Sequence, residues 1–220
     1  MSVPRAASTV IVLRQGTGGI EVLLGRRPAR QAFGGAWVFP GGVVDPEDHE
    51  PELTGIDAPD APWRAAALRE VAEEVGLFLT DPGVTADIVL EGRDVHEHVR
   101  RSGASWTPER LSYLSNWVTP AGLPKRFDTR FYLAVVVDEV IGPISTELEV
   151  VEWMAPRAAL ERYETGELQL ITPTIAHLRM LLPFSSAADA DAHARSQERV
   201  DPVQPRLVRR EDGEIEVEIP

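Results

Sequence analysis

The chain has 220 residues, 43% hydrophobic, 26% charged and 6% aromatic, ordinary globular values that exclude a wholly disordered polymer and leave room for one well-packed domain with additions. Lys and Arg number 22 against 35 Asp and Glu, a formal charge of −13; such a chain is ill-suited to gripping nucleic acid by charge alone, and if it handles phosphates a bound metal cation is the obvious supplier of positive charge. The absence of cysteine excludes a disulfide scaffold, thiolate zinc sites and a cysteine nucleophile, and fits a reducing compartment.

Ser8 to Leu13 (STVIVL) is β-branched and compact. Ile20 to Arg26 (IEVLLGR) follows a glycine-rich turn, Gly16 to Gly19, and the pair predicts a hairpin. Trp37-Val38-Phe39 reads as a short strand broken by Pro40-Gly41-Gly42. Asp45 to Pro62 is acidic, carries Pro46, Pro51, Pro59 and Pro62, and has loop composition. Trp63 to Val75 is the clearest helix, with Ala65, Leu68, Ala72 and Val75 on one face and Gly76 at the C-cap position.

Gly92 to Arg101 and Pro108 to Leu114 predict short helices; Asn116 to Thr119, Arg130 to Asp138 and Val150 to Met154 predict strands. Pro156 to Tyr163 and Pro173 to Leu182 read as helices with proline at an early position. Composition shifts after Phe184. Ser185 to Arg199 is Ala/Asp-rich, a mobile helix or a linker, and Leu207 to Ile219 alternates around Asp212-Gly213, a hairpin signal. This divides the chain into a main domain, residues 1–184, and a C-terminal extension, residues 185–220. No internal repeat is visible. The most apolar window, Phe131 to Val137, is too short to span a bilayer, and Met1 to Thr9 lacks the apolar run of a secretory signal; a cytoplasmic protein without membrane association is expected.

The chemically informative segment is Arg69-Glu70-Val71-Ala72-Glu73-Glu74-Val75-Gly76-Leu77. Residues three and four apart on a helix are neighbours, so Glu70, Glu73 and Glu74 converge on one face, opposite Leu68, Ala72 and Val75. Each close like-charged pair costs about 0.2–0.5 kcal/mol on an exposed helix, only partly offset by Arg64 and Arg69. Such a run is either a solvated face or, with a hard divalent cation, an oxygen-ligand site. The upstream strand ending in Phe39-Pro40-Gly41-Gly42 favours the second, because glycine lets backbone carbonyls approach a ligand closely.

The glycine loop and this helix resemble the signature of Nudix hydrolases, G-x5-E-x7-R-E-U-x-E-E-x-G-U with U aliphatic. Gly42 matches the first glycine, and Arg69, Glu70, Val71, Glu73, Glu74, Gly76 and Leu77 match the second half, so the box spans residues 42–77. Two departures stand out. Asp48, a shorter acid, occupies the early Glu position, and residues 49–68 form a spacer of 20 in place of 7, with the inserted loop at 49–62. An insertion at this place resembles the branch that includes a peroxisomal coenzyme A diphosphatase, as do Trp117-Val118-Thr119-Pro120 and Arg126-Phe127-Asp128-Thr129-Arg130-Phe131.

The resemblance implies an α/β fold of α+β type, a mixed β-sheet sandwiched between helices with a C-terminal helical and hairpin extension. It implies a diphosphatase dependent on Mg2+ or Mn2+, cleaving the diphosphate linkage of a nucleoside diphosphate derivative, coenzyme A-type substrates leading. A catalytically silent module binding a nucleotide-like ligand is the alternative. Homodimers are common in the family, so a second copy is a candidate partner.

By the same resemblance Glu73 and Glu74 are the principal metal ligands, Glu70 a further ligand or general base, and the Gly41 carbonyl an additional ligand. Glu147 is the extra catalytic acid of a late loop, with Glu149 and Glu152 competing for the role. Gly42, Arg69 and Gly76 are structural, Arg69 bracing the loop through Asp48 or Asp45. For substrate binding the candidates are Arg27, Trp37 and Arg130. Arg27 is otherwise a surface arginine at a strand end, and Arg130 otherwise part of an edge strand with paired charges. His96 and His98, two apart, fall on different helix faces and carry little weight, and His177 reads as a core histidine.

Overall fold

The computed structural model describes residues 2–30, 34–209 and 215–218. In chain order the first elements are strands β1 (Arg5–Gly16), β2 (Gly19–Arg26), β3 (Ala36–Val38) and β4 (Gly41–Val43), then a 3-10 turn (Pro46–His49), helix α1 (Pro51–Thr54) and helix α2 (Ala61–Val75). Next come β5 (Thr80–Asp81), α3 (Arg93–Arg101), β6 (Ser105–Trp106), a 3-10 turn (Pro108–Arg110), β7 (Ser112–Val118), β8 (Phe127–Val136) and β9 (Val150–Met154). The chain continues through α4 (Pro156–Glu164), β10 (Gln169–Leu170), α5 (Thr172–Leu181), α6 (Ala187–Arg195), β11 (Pro202–Val203), β12 (Arg206–Arg209) and β13 (Ile215–Glu218).

The main sheet runs β10-β3-β2-β1-β8-β7-β11. It is mixed: β1 lies parallel to β8, and β1–β2 and β7–β8 are antiparallel. On the edge of β1 that faces β2, the register changes partner. Leu13 to Gly16 pair with β2, and Ala7 to Thr9 pair with β4. Pro40-Gly41-Gly42 is therefore not a plain strand break. Its glycines form β4 and run antiparallel to Ser8 and Thr9.

Alternation along the strands builds two cores. Val10, Val12, Leu23, Ala134 and Val136 face α2 and α3, and pack on Leu68, Val71, Ala72, Val75 and Val99. Ile11, Leu13, Val22, Phe131 and Leu133 face the other layer, built by α4, α5 and α6. Leu68 is fully buried, which is worth roughly 1.5–3 kcal/mol. Helix α2 starts with Pro62 in its first turn and ends at Gly76, whose φ of 63° is left-handed. Gly76 also lies against Gly142, and a Cβ there would stand 2.6 Å from its Cα.

Two expected elements differ. Asp45 to Pro62 is not structureless, since it holds a 3-10 turn and α1. Pro108 to Leu114 is a 3-10 turn followed by the start of β7, not a helix. In the extension, α6 buries Ala187, Ala190 and Ala194 in the second core. β12 and β13 pair antiparallel in a separate two-stranded sheet; the expected turn residues Asp212 and Gly213 lie outside the described residues. Among the described residues no helix is long and apolar enough to cross a membrane.

Candidate active site

Helix α2 crosses the sheet so that its acidic side meets β4. The acids do not look out into solvent as a solvated face would. Glu74 is 2% exposed, and the side chains of Glu70 and Glu73 are 12% and 17% exposed. Gly42 makes the approach feasible, since a Cβ there would collide with the Glu70 carboxylate. Glu74 Oε2 accepts the Gly41 N–H at 3.0 Å, while Oε1 is buried without a partner among the described residues.

Arg69 lies in the middle, its side chain 2% exposed. Its Nε donates to Asp48 Oδ1 at 3.0 Å and its Nη2 to Asp48 Oδ2 and the Val43 carbonyl, each at 2.9 Å. Its Nη1 donates to Glu70 Oε1 at 2.9 Å and Glu73 Oε2 at 2.8 Å. Asp45 stands 3.7 Å away, so the fork is made to Asp48. Asp48 is fixed by its own turn, with the Asp45 N–H donating to Oδ2 at 2.9 Å. It is also held by His96, 3.0 Å from Oδ1.

The charges respond accordingly. Burial raises Glu70 and neighbouring Glu73 and Glu147 add to the rise; Arg69 opposes them, and the outcome is about 7. Burial and the Glu70 charge push Glu74 well above the usual carboxyl range, against the pull of Arg27. Glu73 is raised by burial, with Arg69 opposing. Burial pushes Asp48 up too, but hydrogen bonds from His96 and Arg69 and the Arg69 charge outweigh it and leave Asp48 lowered.

Of the three late-loop acids, Glu147 is the one whose charge raises Glu70, Glu73 and Glu74. Glu149 is paired with Arg26 at 2.8 Å and Glu152 with Arg162 at 3.0 Å. Arg27 is half-buried, feels Glu74, and has no ion pair among the described residues. A cavity of about 400 Å³ is lined by Pro28, Ala29, Arg30, Thr146, Leu148 and Glu149, chain neighbours of Arg27 and Glu147.

The other substrate-binding candidates stand apart. Trp37 is 6% exposed in the second core, on the opposite side of the sheet from α2. Arg130 stacks on Trp63, 3.9 Å from guanidinium to ring centroid, near the start of α2. Seven residues of helix, about 10 Å, separate Trp63 from Glu70.

Sequence reasoning passed over His96 and Trp106. His96 is fully buried, and the Trp106 Nε1–H donates to its Nδ1 at 3.1 Å. The periodicity of α3 puts His96 on the inner face with Val95 and Val99, and that was the available signal.

The donor set fits a hard divalent cation: all oxygen, several like charges, and one buried carboxylate oxygen lacking a partner. Among the described residues no three acidic or imidazole groups already close around one point. Arg69 instead stands between Glu70 and Glu73.

A family profile for the NUDIX domain matches residues 3–173. The chain belongs to the Nudix family. A crystal structure of a NUDIX hydrolase from Alicyclobacillus acidocaldarius is 31% identical, with a TM-score of 0.75, covering 87% of this chain and 97% of that one. Acyl-coenzyme A diphosphatase NUDT19 of Homo sapiens is 27% identical over 67% of this chain, and that of Gallus gallus 26% identical over 77%. The chain spans 46% and 63% of the length of these two relatives. The mixed sheet between helices expected from the Nudix resemblance is the fold observed.

Proposed function

We propose that this Nudix protein is a diphosphatase dependent on Mg2+ or Mn2+, and that it hydrolyses a nucleoside diphosphate derivative, coenzyme A-type molecules first. The observation carrying the reading is the buried Oε1 of Glu74, unpartnered among the described residues and feeling the charges of Glu70 and Glu147. Glu74, Glu73 and Glu70 would hold the cation, with Gly41 anchoring Glu74 through its N–H. When bound, a divalent ion neutralises non-bridging phosphate oxygens and lowers the pKa of a water.

The chain's own residues supply the rest. Arg27 offers a fork that matches phosphate oxygens. Glu147, exposed on the opposite loop, would take a proton from the attacking water, with Glu70 the alternative base. The cavity lined by chain neighbours of Arg27 and Glu147 takes the group attached to the diphosphate, and Leu148, Pro28 and Ala29 give it an apolar wall. The relatives named acyl-coenzyme A diphosphatase agree with such a substrate.

The test is incubation with Mg2+ or Mn2+ and a panel of coenzyme A, acyl-coenzyme A, nucleotide sugars and dinucleotides, followed by analysis for two phosphomonoesters. Cleavage that needs the cation and prefers the coenzyme A compounds is expected. Tight binding of a panel member with no product would favour the silent binding module.

A further inference from the structure

A buried chain of hydrogen bonds reaches the Nudix-box arginine from outside the box. An indole N–H only donates, so the Trp106 contact makes His96 an acceptor at Nδ1 and leaves its Nε2–H to donate to Asp48 Oδ1 at 3.0 Å. The Asp48 carboxylate then meets the Arg69 fork, which holds Glu70 and Glu73. His96 and Asp48 are 0% and 1% exposed, so no water substitutes for either partner at low cost. Trp106 is fixed in turn, stacked on Phe78 with ring planes 7° apart.

Helix α3 touches the site a second time, where the Gly92 N–H at its start donates to Glu73 Oε1 at 3.2 Å. Arg93 is ion-paired with Glu50, which ties α3 to the inserted loop. Asp48 is short for its position, and its Oδ1 takes donors from two directions, Arg69 from α2 and His96 from α3.

We propose that His96, backed by Trp106, is a positioning residue of the carboxylate site: it fixes Asp48, and through Asp48 it sets Arg69 so that Glu70 and Glu73 stand ready for a divalent cation. The proposal rests on the cation-dependent reading above. It gives α3 and the inserted loop a common task, bracing the site from behind.

The test uses the full chain and two measurements. Mn2+ affinity is measured by calorimetry, and the Arg69 Nε–H signal is followed by NMR in metal-free protein. His96→Leu fills much of the ring's volume without a donor; His96→Gln restores an N–H. In His96→Leu, Mn2+ binding weakens about 10–100-fold and the protected Arg69 Nε–H becomes exchangeable. His96→Gln recovers most of both, which loss of packing alone would not explain. Wild-type Mn2+ affinity together with an unchanged Arg69 signal in a folded His96→Leu protein overturns the proposal. If His96→Leu does not fold, Trp106→Phe removes the indole N–H together with its five-membered ring and keeps one aromatic ring against Phe78. It weakens Mn2+ binding by about threefold or more, and no change there overturns the proposal as well. A wild-type protein that binds no Mn2+, yet whose Arg69 signal depends on His96, supports the positioning of Arg69 and overturns the cation reading instead.

Discussion

Glu74 and Gly41 are joined by one hydrogen bond, 3.0 Å from the glycine N–H to Oε2, and that bond is all the neutralisation the Glu74 carboxylate receives from hydrogen bonding. The second oxygen has none among the described residues. A buried carboxyl in this position is stable as a neutral acid or beside a cation, and unstable as a bare anion. The metal-free fold and the proposed catalyst thus want opposite charge states of the same side chain.

Glu74→Gln separates the two demands. The amide keeps the shape and an acceptor for the Gly41 N–H, and it carries no charge. The metal-free variant is expected to melt at a higher temperature than wild type at pH 7.5. Mg2+ should no longer raise that temperature. Turnover should fall by more than about 100-fold, since partners outside the ligand shell alone are worth about 10–100-fold. Near-normal cation-dependent turnover would contradict the assignment.

Gly42→Ala places a methyl group where the Glu70 carboxylate lies. Overpacking of this kind costs about 1–3 kcal/mol, and the flexible end of Glu70 is what gives way. A folded protein with weakened Mn2+ binding and lowered kcat is expected from calorimetry and steady-state kinetics. Unchanged Mn2+ affinity would show that Glu70 does not contribute.

Arg69 compensates three acids at once, and the Asp48 side chain is 0% exposed. Arg69→Ala leaves them uncompensated and should lower stability by about 3–5 kcal/mol in denaturant titration. Arg69→Lys keeps the charge but cannot fork onto Asp48 while reaching Glu70 and Glu73, so it should recover less than half of the loss. Full recovery by lysine would mean that charge alone matters at this position.

Helix α2 and strands β1, β2 and β9 were legible because period and composition agree along each: β-branched strands, an apolar helical stripe, a capping glycine. The glycines of β4 were misread as a break because glycine usually weakens a strand. Here Gly42 is needed for the room it leaves Glu70, which no local pattern reveals. The burial of Glu74 was hidden for a similar reason. Its burial comes from β4, 33 positions earlier in the chain. The pairing of Asp48 with His96 spans 48 positions, and the loss of the expected helix at Pro108 follows from β7 pairing with β8 across an irregularity between Tyr113 and Ser115. Trp37 sat beside the glycine loop in sequence, yet strand alternation turns it to the opposite core.

Stability against pH carries two opposed signatures. Glu70 titrates near 7 in the fold and near 4.5 when exposed, so between these values the folded state keeps a proton that the unfolded chain has released. Raising the pH through this window should cost the metal-free fold up to about 3 kcal/mol, and the raised Glu73 and Glu74 act in the same direction. His177 is pushed down to about 4 by burial; its Nδ1 donates to the Pro173 carbonyl and its Nε2 accepts from Ser115, each at 2.6 Å. Its contribution is present above about 6.5 and is lost as the pH falls toward 4, again by up to about 3 kcal/mol. Metal-free protein should therefore lose stability as the pH rises from 4.5 to 6.5, because three raised carboxyls outweigh one histidine, and lose more above that. Saturating Mg2+ holds the carboxylates ionised, removes the first signature and leaves stability rising with pH up to 6.5. Urea midpoints across this range with and without Mg2+ check it; coincident profiles would contradict it.

Arg27 is the remaining test of how substrate is held. It faces Glu74 from the end of β2, and the Ala36 carbonyl fixes its backbone by accepting its N–H at 3.0 Å. A guanidinium that binds phosphate in both the ground and transition states lowers KM without raising kcat. Arg27→Gln should therefore raise KM about 10–100-fold, the worth of a charge-assisted hydrogen bond, with kcat nearly preserved. Because the Arg27 charge also repels a cation at Glu74, its loss should strengthen Mn2+ binding in the absence of substrate, an effect that calorimetry reads separately. A surface arginine that merely ends a strand would change neither quantity, and that pair of null results would move the phosphate contact elsewhere in the site.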